Sequence, residues 1–231
     1  LEHPVEGPVD RVGHGPACPD VLLLVERPEG LAVVPEGAVD GVADGVADVR
    51  LNRPDKLNGL DLPMFDALVA TGKRIAEDRS LRAVVLSGEG RGFCAGLDFM
   101  SFMAASEGPK RNLFERSAGS PANLAQRAAF IWAEVPIPVI AAVHGVAYGG
   151  GLQIALGADL RFVAPDAKLS VMEIKWGLVP DMSGTQTLRR LVRLDVAKEL
   201  TFTGRVISGT EAVSLGLATR VADDPRAAAL A

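Results

Sequence analysis

Apolar residues fall along the chain in short runs separated by polar or glycine-containing breaks, and each run's length and flanks predict an element. Residues 46–52 (VADVRLN) read as a strand. RAVVLSG (82–88) reads as a buried strand ending at glycine, and PVIAAVHG (138–145) as a short apolar strand bounded by proline and glycine. DLRFVA (159–164) is a fourth. Between them lie helical stretches. One opens at Asp61, carries Pro63 in its first turn and runs to about Asp78. Residues 121–135 form another, with Ser120 as N-cap and Pro121 in the first position. A third spans Gly150 to Leu156, and further helices are predicted near 184–193, 195–202 and 210–216. Strands alternating with helices make this an α/β protein, although the pattern does not give the order of strands in the sheet.

Residues 1–45 read differently. They are rich in Pro, Gly, Val and Asp, with a near-repeat in GAVDGVADGVADV. Residues 21–25 (VLLLV) resemble a short strand, but Pro28, Gly30, Pro35 and Gly37 interrupt the stretch beyond it. This part is expected to be a poorly ordered appendage to one domain covering 46–231.

Composition narrows the chemistry mainly by exclusion. The apolar fraction of 48% and charged fraction of 23% are those of a globular domain. A net charge of −5 without a basic block argues against nucleic acid, though not against a small anionic ligand. Cys18 and Cys94 are too far apart to indicate a disulfide framework, and His3, His14 and His144 show no metal-ligand spacing, so no metal site is expected. No apolar run approaches the roughly 20 residues that span a bilayer. The N-terminus lacks the basic flank of a signal peptide, and a cytoplasmic location is expected.

Two strands run into glycine-rich turns followed by helical sequence, at GEGRGFCAGLDF and at HGVAYGGGLQIALGAD. Neither fits G-x-G-x-x-G, and no P-loop lysine is present after either. One use for such turns is an oxyanion hole, in which backbone N–H groups from two turns converge on a developing negative charge. Another is tight packing of helix on strand.

With NRPDKLNGL (52–60), GRGFCAGLDF (90–99), PVIAAVHGVAYGGGLQIALGADLRFVA (138–164), GLVPDMSGTQTLRRLV (177–192) and LTFTGRVISGTEAVSLGLATRV (200–221), the chain resembles the crotonase (enoyl-CoA hydratase/isomerase) superfamily over about residues 46–222. The resemblance implies a spiral of repeated ββα units that assembles as trimers or pairs of trimers. It also implies an acyl-CoA thioester substrate, with coenzyme A as part of the substrate and no separate cofactor. Carried over by position, the backbone N–H groups of Leu97 and Gly150 form the oxyanion hole, the glycines clearing a path for the thioester. Arg53, Lys56, Leu57, Arg91 and Ala95 fall in segments similar to coenzyme A-binding loops. Members of the superfamily continue for several more helical turns at the C-terminus. DDPRAAALA resembles the opening of that segment, most of which the sequence does not contain.

The carboxylates depart from the hydratase pattern. Hydratases of this superfamily hold water between two glutamates; here the first position is Gln153 and the second is Glu173. An amide orients water but neither takes nor gives a proton, and losing a general acid–base costs about 10²–10⁴-fold. Moving a double bond needs only one carboxylate, which the resemblance to Δ3,Δ2-enoyl-CoA isomerases assigns to Glu173. Its apolar neighbours Val171, Met172, Ile174 and Trp176 favour a raised pKa. Asp181 matches an acid of the dienoyl-CoA isomerases, and is alternatively a turn or capping residue. Hydration with water held by Gln153, dienoyl isomerisation by Glu173 and Asp181, and a catalytically weak acyl-CoA-binding protein are the alternatives. Phe99, Phe102, Met103, Phe114 and Trp132 are candidates for the acyl tunnel or for the core. Cys94 and His144 read as structural.

Overall fold

The computed structural model describes residues 41–104, 115, 116 and 120–231. Residues 1–40, and with them the VLLLV segment, lie outside the described residues, as do Phe114 and the side chain of Phe102. The first sheet starts ahead of the regular sequence pattern. Strand β1 (Gly41–Ala43) pairs antiparallel with β2 (Val46–Leu51), Gly41 opposite Asp48. Helix α1 (Leu62–Glu77) comes next, capped by the Asp61 carboxylate, which accepts from the Met64 N–H at 2.9 Å.

Strand β3 (Ala83–Gly88) lies parallel to β2, and its central Val84, Val85 and Leu86 are fully buried. A parallel strand covered on both faces is an unbroken apolar run rather than an alternating one, which is why 82–88 reads so clearly. Helix α2 (Phe99–Ala104) is next along the chain, then α3 (Leu124–Glu134). The cap of α3 is Asn123, not the expected Ser120. The Asn123 side chain accepts from the Gln126 N–H, and the Gln126 side chain accepts in return from the Asn123 N–H. This reciprocal pair outcompetes the Ser120 hydroxyl, which accepts from the Ala122 N–H instead.

Strands β4 (Val139–Val143) and β5 (Val146–Tyr148) lead into α4 (Gly150–Gly157), all eight of whose residues are buried. Then come β6 (Leu160–Val163), β7 (Lys168–Ser170) and a 3-10 turn at Glu173–Trp176. Helices α5 (Gly184–Leu191) and α6 (Leu194–Thr203), strand β8 (Ile207–Ser208), helix α7 (Gly209–Ser214), strand β9 (Arg220–Val221) and helix α8 (Pro225–Leu230) complete the described chain. One sheet runs β1-β2-β3-β4-β6-β9, parallel beyond its first pair; a second, β5-β7-β8, stands apart. The second sheet goes unread in the sequence because strands of two or three residues have too few positions to establish a period of two. It places α4 and the 3-10 turn beside each other: β5 pairs with β7, and each leads into one of them.

Candidate active site

The two glycine-rich turns meet. Between them the Cys94 N–H donates to the Val146 carbonyl at 2.9 Å, and the Tyr148 N–H to the Cys94 carbonyl at 3.0 Å. The three successive glycines answer three separate steric demands. At Gly149 φ is +52°, and a Cβ would come within 3.3 Å of the Glu173 carboxyl. At Gly150 it would come within 2.9 Å of both Leu60 Cδ1 and Met182 Sδ, and at Gly151 within 2.8 Å of Cys94 Sγ. The Cβ position at each is therefore taken by the protein itself: Gly151 serves packing, and Gly149 makes room for a carboxylate. Among the described residues, neither the Leu97 nor the Gly150 N–H has an acceptor.

A cavity of about 480 Å³ opens against this junction. Ala95, Leu97, Gly149, Gly150, Gln153, Glu173 and Asp181 all line it, together with the apolar Phe65, Phe99, Met172, Trp176, Leu178, Val179 and Met182. Of the tunnel candidates, Phe99 lines the cavity and stacks on Trp176 with centroids 4.7 Å apart. Trp132 is fully buried in the core, its indole N–H donating to the Ala128 carbonyl. Met103 is exposed and does not line the cavity.

Glu173 opens its 3-10 turn and is 8% exposed. The Gln153 amide nitrogen donates to Glu173 Oε1 at 2.6 Å, while Glu173 Oε2 is buried with no hydrogen-bond partner. Burial pushes the Glu173 carboxyl above its ordinary range. Its own N–H and the Gln153 amide pull it back less strongly, and the charge of Asp181 adds to the rise. Asp181 itself is exposed in the turn before α5. Its N–H donates to the Val179 carbonyl, and it caps no helix, Ser183 taking that position.

The other predicted residues separate into two groups. Ala95 touches the cavity, and its N–H donates to the Leu57 carbonyl, so Leu57 and Ala95 are neighbours. Lys56 and Arg91 are exposed. Arg53 is not placed like them: its guanidinium is enclosed by Asp61 and Asp98, each 3.2 Å away, and donates to the Gly59 carbonyl. It ties the start of α1 to the turn leading into α2. Burial pushes the Asp98 carboxyl up, but the Ser101 hydroxyl and N–H and the Arg53 cation outweigh it and hold Asp98 low. Cys94 is buried, its thiol pushed up to about 12 by desolvation, and His144 Nε2 is bonded to the Gly90 carbonyl; both are structural here. No cluster of three metal-ligating side chains occurs among the described residues. Gly184 and Met182 join the site without having been marked by the sequence. Gly184 carries a recognisable signal only as the glycine opening a helix.

A parallel sheet flanked by a small second sheet, with two glycine turns facing one buried carboxyl, defines a crotonase-type fold. The family model for enoyl-CoA hydratase/isomerase matches residues 41–228, and the chain belongs to that family. It is 39% identical to human enoyl-CoA hydratase domain-containing protein 2, mitochondrial, over 78% of this chain and 59% of that protein. It is 36% identical to 1,2-epoxyphenylacetyl-CoA isomerase of Escherichia coli strain K12, over 79% and 68% of the two chains. Among solved structures, a putative enoyl-CoA hydratase from Streptomyces coelicolor A3(2) superposes with a TM-score of 0.71 at 34% identity, covering 82% of this chain and 68% of that one. The chain thus spans about three-fifths of the length of the human relative.

Proposed function

We propose that the protein binds an acyl-CoA thioester with its carbonyl oxygen between the N–H groups of Leu97 and Gly150, and moves a carbon–carbon double bond with Glu173 as the proton carrier. The observation that carries this is the state of Glu173. Its carboxyl is buried beside Gly149, with one oxygen held by Gln153 and the other buried without a partner, and the residue lines the cavity. In a 3-enoyl thioester, Glu173 takes a proton from C2 and the electron pair passes to the carbonyl oxygen. The two N–H groups and the positive end of α4 stabilise the resulting dienolate, and the same carboxyl returns a proton to C4. No atoms are gained or lost, so coenzyme A enters as part of the substrate rather than as a cofactor. Lys56 and Arg91, both exposed, are the cations for its phosphates, and Arg53 is engaged elsewhere. The working form is a cytoplasmic trimer or pair of trimers.

Hydration is disfavoured because the Gln153 carbonyl oxygen accepts from the Gly184 N–H at 2.8 Å, so it is turned towards α5 rather than towards a water in the cavity. Isomerisation of a 3,5-dienoyl thioester is the second possibility, because Asp181 lines the same cavity and its charge acts on Glu173. A mouse mitochondrial relative, 33% identical over 78% of this chain, bears the name Delta(3,5)-Delta(2,4)-dienoyl-CoA isomerase. The test is to monitor the absorbance of the conjugated 2-enoyl thioester as it forms from a 3-enoyl-CoA. Wild type should convert it and Glu173→Gln should be slower by about 10²–10⁴-fold. Equal rates in the two proteins would remove Glu173 from the chemistry. Turnover of a 3,5-dienoyl-CoA alone, lost in Asp181→Asn, would select the second possibility.

A further inference from the structure

We infer that Gln153 is a positioning residue: it clamps the Glu173 carboxyl to the N-terminus of α5, and so leaves Glu173 Oε2 as the only oxygen free to exchange protons with a ligand. The inference deepens the proposed isomerisation, and its rate measurements rest on that proposal.

The clamp rests on one donor whose identity is unambiguous. A backbone N–H only donates, so the Gly184 N–H, 2.8 Å from Gln153, fixes the amide with its oxygen towards α5. The amide nitrogen must then face the other way, and there it meets Glu173 Oε1 at 2.6 Å. Both bonds are buried. Oε1 accepts from the amide whether Glu173 is ionised or neutral, so the proton, when present, resides on Oε2. That atom is buried and has no partner in the protein.

Gly184 is shaped for this contact. A Cβ there would stand 2.6 Å from Gln153 Oε1 and 3.0 Å from Pro180 Cβ, so no larger residue admits the amide to the helix terminus. A carboxylate at position 153 would satisfy the Gly184 N–H but place a second acid against Oε1, and the two would then share a proton. A glutamine satisfies both neighbours at any pH. An amide at 153 is thus the group that keeps Glu173 from sharing its proton at Oε1, Asp181 being the other charge that acts on it.

The test combines two readouts on the full chain. The first is the pH-dependent infrared difference spectrum, in which the carboxyl band absent from Glu173→Gln identifies Glu173 in the absence of any ligand. Gln153→Leu removes the donor and should raise the Glu173 midpoint by about one to two pH units, the effect of a hydrogen bond to a charged group. Gly184→Ala leaves both side chains in place but obstructs the amide, and should move the midpoint in the same direction. The second readout is kcat and KM with a 3-enoyl-CoA. Gln153→Leu should lower kcat at least tenfold with KM changed less than threefold, and Gln153→Glu should retain activity only over the pH window in which the two carboxyls hold one proton between them, falling at lower pH where Glu173 is protonated and at higher pH where the donor is lost. An unmoved Glu173 midpoint in both Gln153→Leu and Gly184→Ala would overturn the clamp. A moved midpoint in a protein that fails to isomerise any 3-enoyl-CoA would uphold the clamp and refute the proposed reaction instead.

Discussion

Gly151→Ala should damage this protein more than any propensity argument allows, because the space for a methyl group is already occupied. A Cβ at 151 would lie 2.7 Å from Cys94 Cβ and 2.8 Å from Cys94 Sγ, and closer still to the Cys94 carbonyl oxygen. That oxygen accepts the Tyr148 N–H at 3.0 Å, so it cannot retreat without breaking the bridge between the two glycine turns. Alanine gains about 1 kcal/mol over glycine inside a helix. Overpacking that moves backbone costs about 1–3 kcal/mol or more. Taking the upper figure, since the nearest obstacle is backbone rather than a flexible side chain, the net loss is about 2 kcal/mol. Urea titration should show it as a lower midpoint at unchanged slope. Any isomerase activity should fall further than stability, because Leu97 and Gly150 sit on opposite sides of this contact. Gly177→Ala is the comparator: nothing lies within 4 Å of its Cβ position and only its φ of +66° is at stake, so about 1 kcal/mol is expected. A Gly151→Ala midpoint equal to wild type, or equal to that of Gly177→Ala, would refute the steric account. Rescue by Cys94→Ala, which relieves the sulfur but not the carbonyl, would instead show that the side chain and not the backbone is the decisive obstacle.

Further outcomes are expected at Glu173, Cys94 and Arg53. The Glu173 carboxyl is raised by burial, so the base form needed for proton abstraction accumulates only above the ordinary carboxylate range, and kcat/KM should rise with pH through that displaced midpoint. Asp181→Asn removes the like charge and should move that limb to lower pH. The same raised pKa has a sign in stability: its contribution is full below the ordinary glutamate range and is lost as pH rises through the folded-state value. Glu173→Gln should therefore gain on wild type in urea midpoint between acid and neutral pH, and a constant difference would contradict the shift. Cys94, its thiol pushed up to about 12, should resist a thiol reagent at neutral pH in a Cys18→Ser background until denaturant is added; reaction with the native protein would show that the junction opens. Arg53→Met strands Asp61 and Asp98 around a lost cation and should cost about 3 kcal/mol in chemical denaturation, whereas a coenzyme A contact would instead raise KM at unchanged stability.

Local physics made much of this protein legible before any coordinates. Buried parallel strands are continuous apolar runs, so 82–88 and 138–145 read directly, and a carboxylate ahead of an apolar-periodic stretch marks Asp61 as a cap. The motifs likewise pointed to Gln153 and Glu173, because residue identity at a glycine turn is a property of sequence. The α3 cap is not legible in the sequence because Ser120 and Asn123 are both good caps, and only the reciprocal bond to Gln126 separates them. What the sequence could not hold was the meeting of distant segments. Arg53 is a charged turn residue until Asp61 and Asp98 are seen around it. The three glycines look like a path for a ligand until Cys94, Met182 and Glu173 are found in the space they leave. Gln153 reads as a defective acid until the Gly184 N–H, 31 residues away, fixes which end of its amide faces Glu173. Hydrogen-bond direction depends on what stands opposite in space, and only the folded chain supplies that.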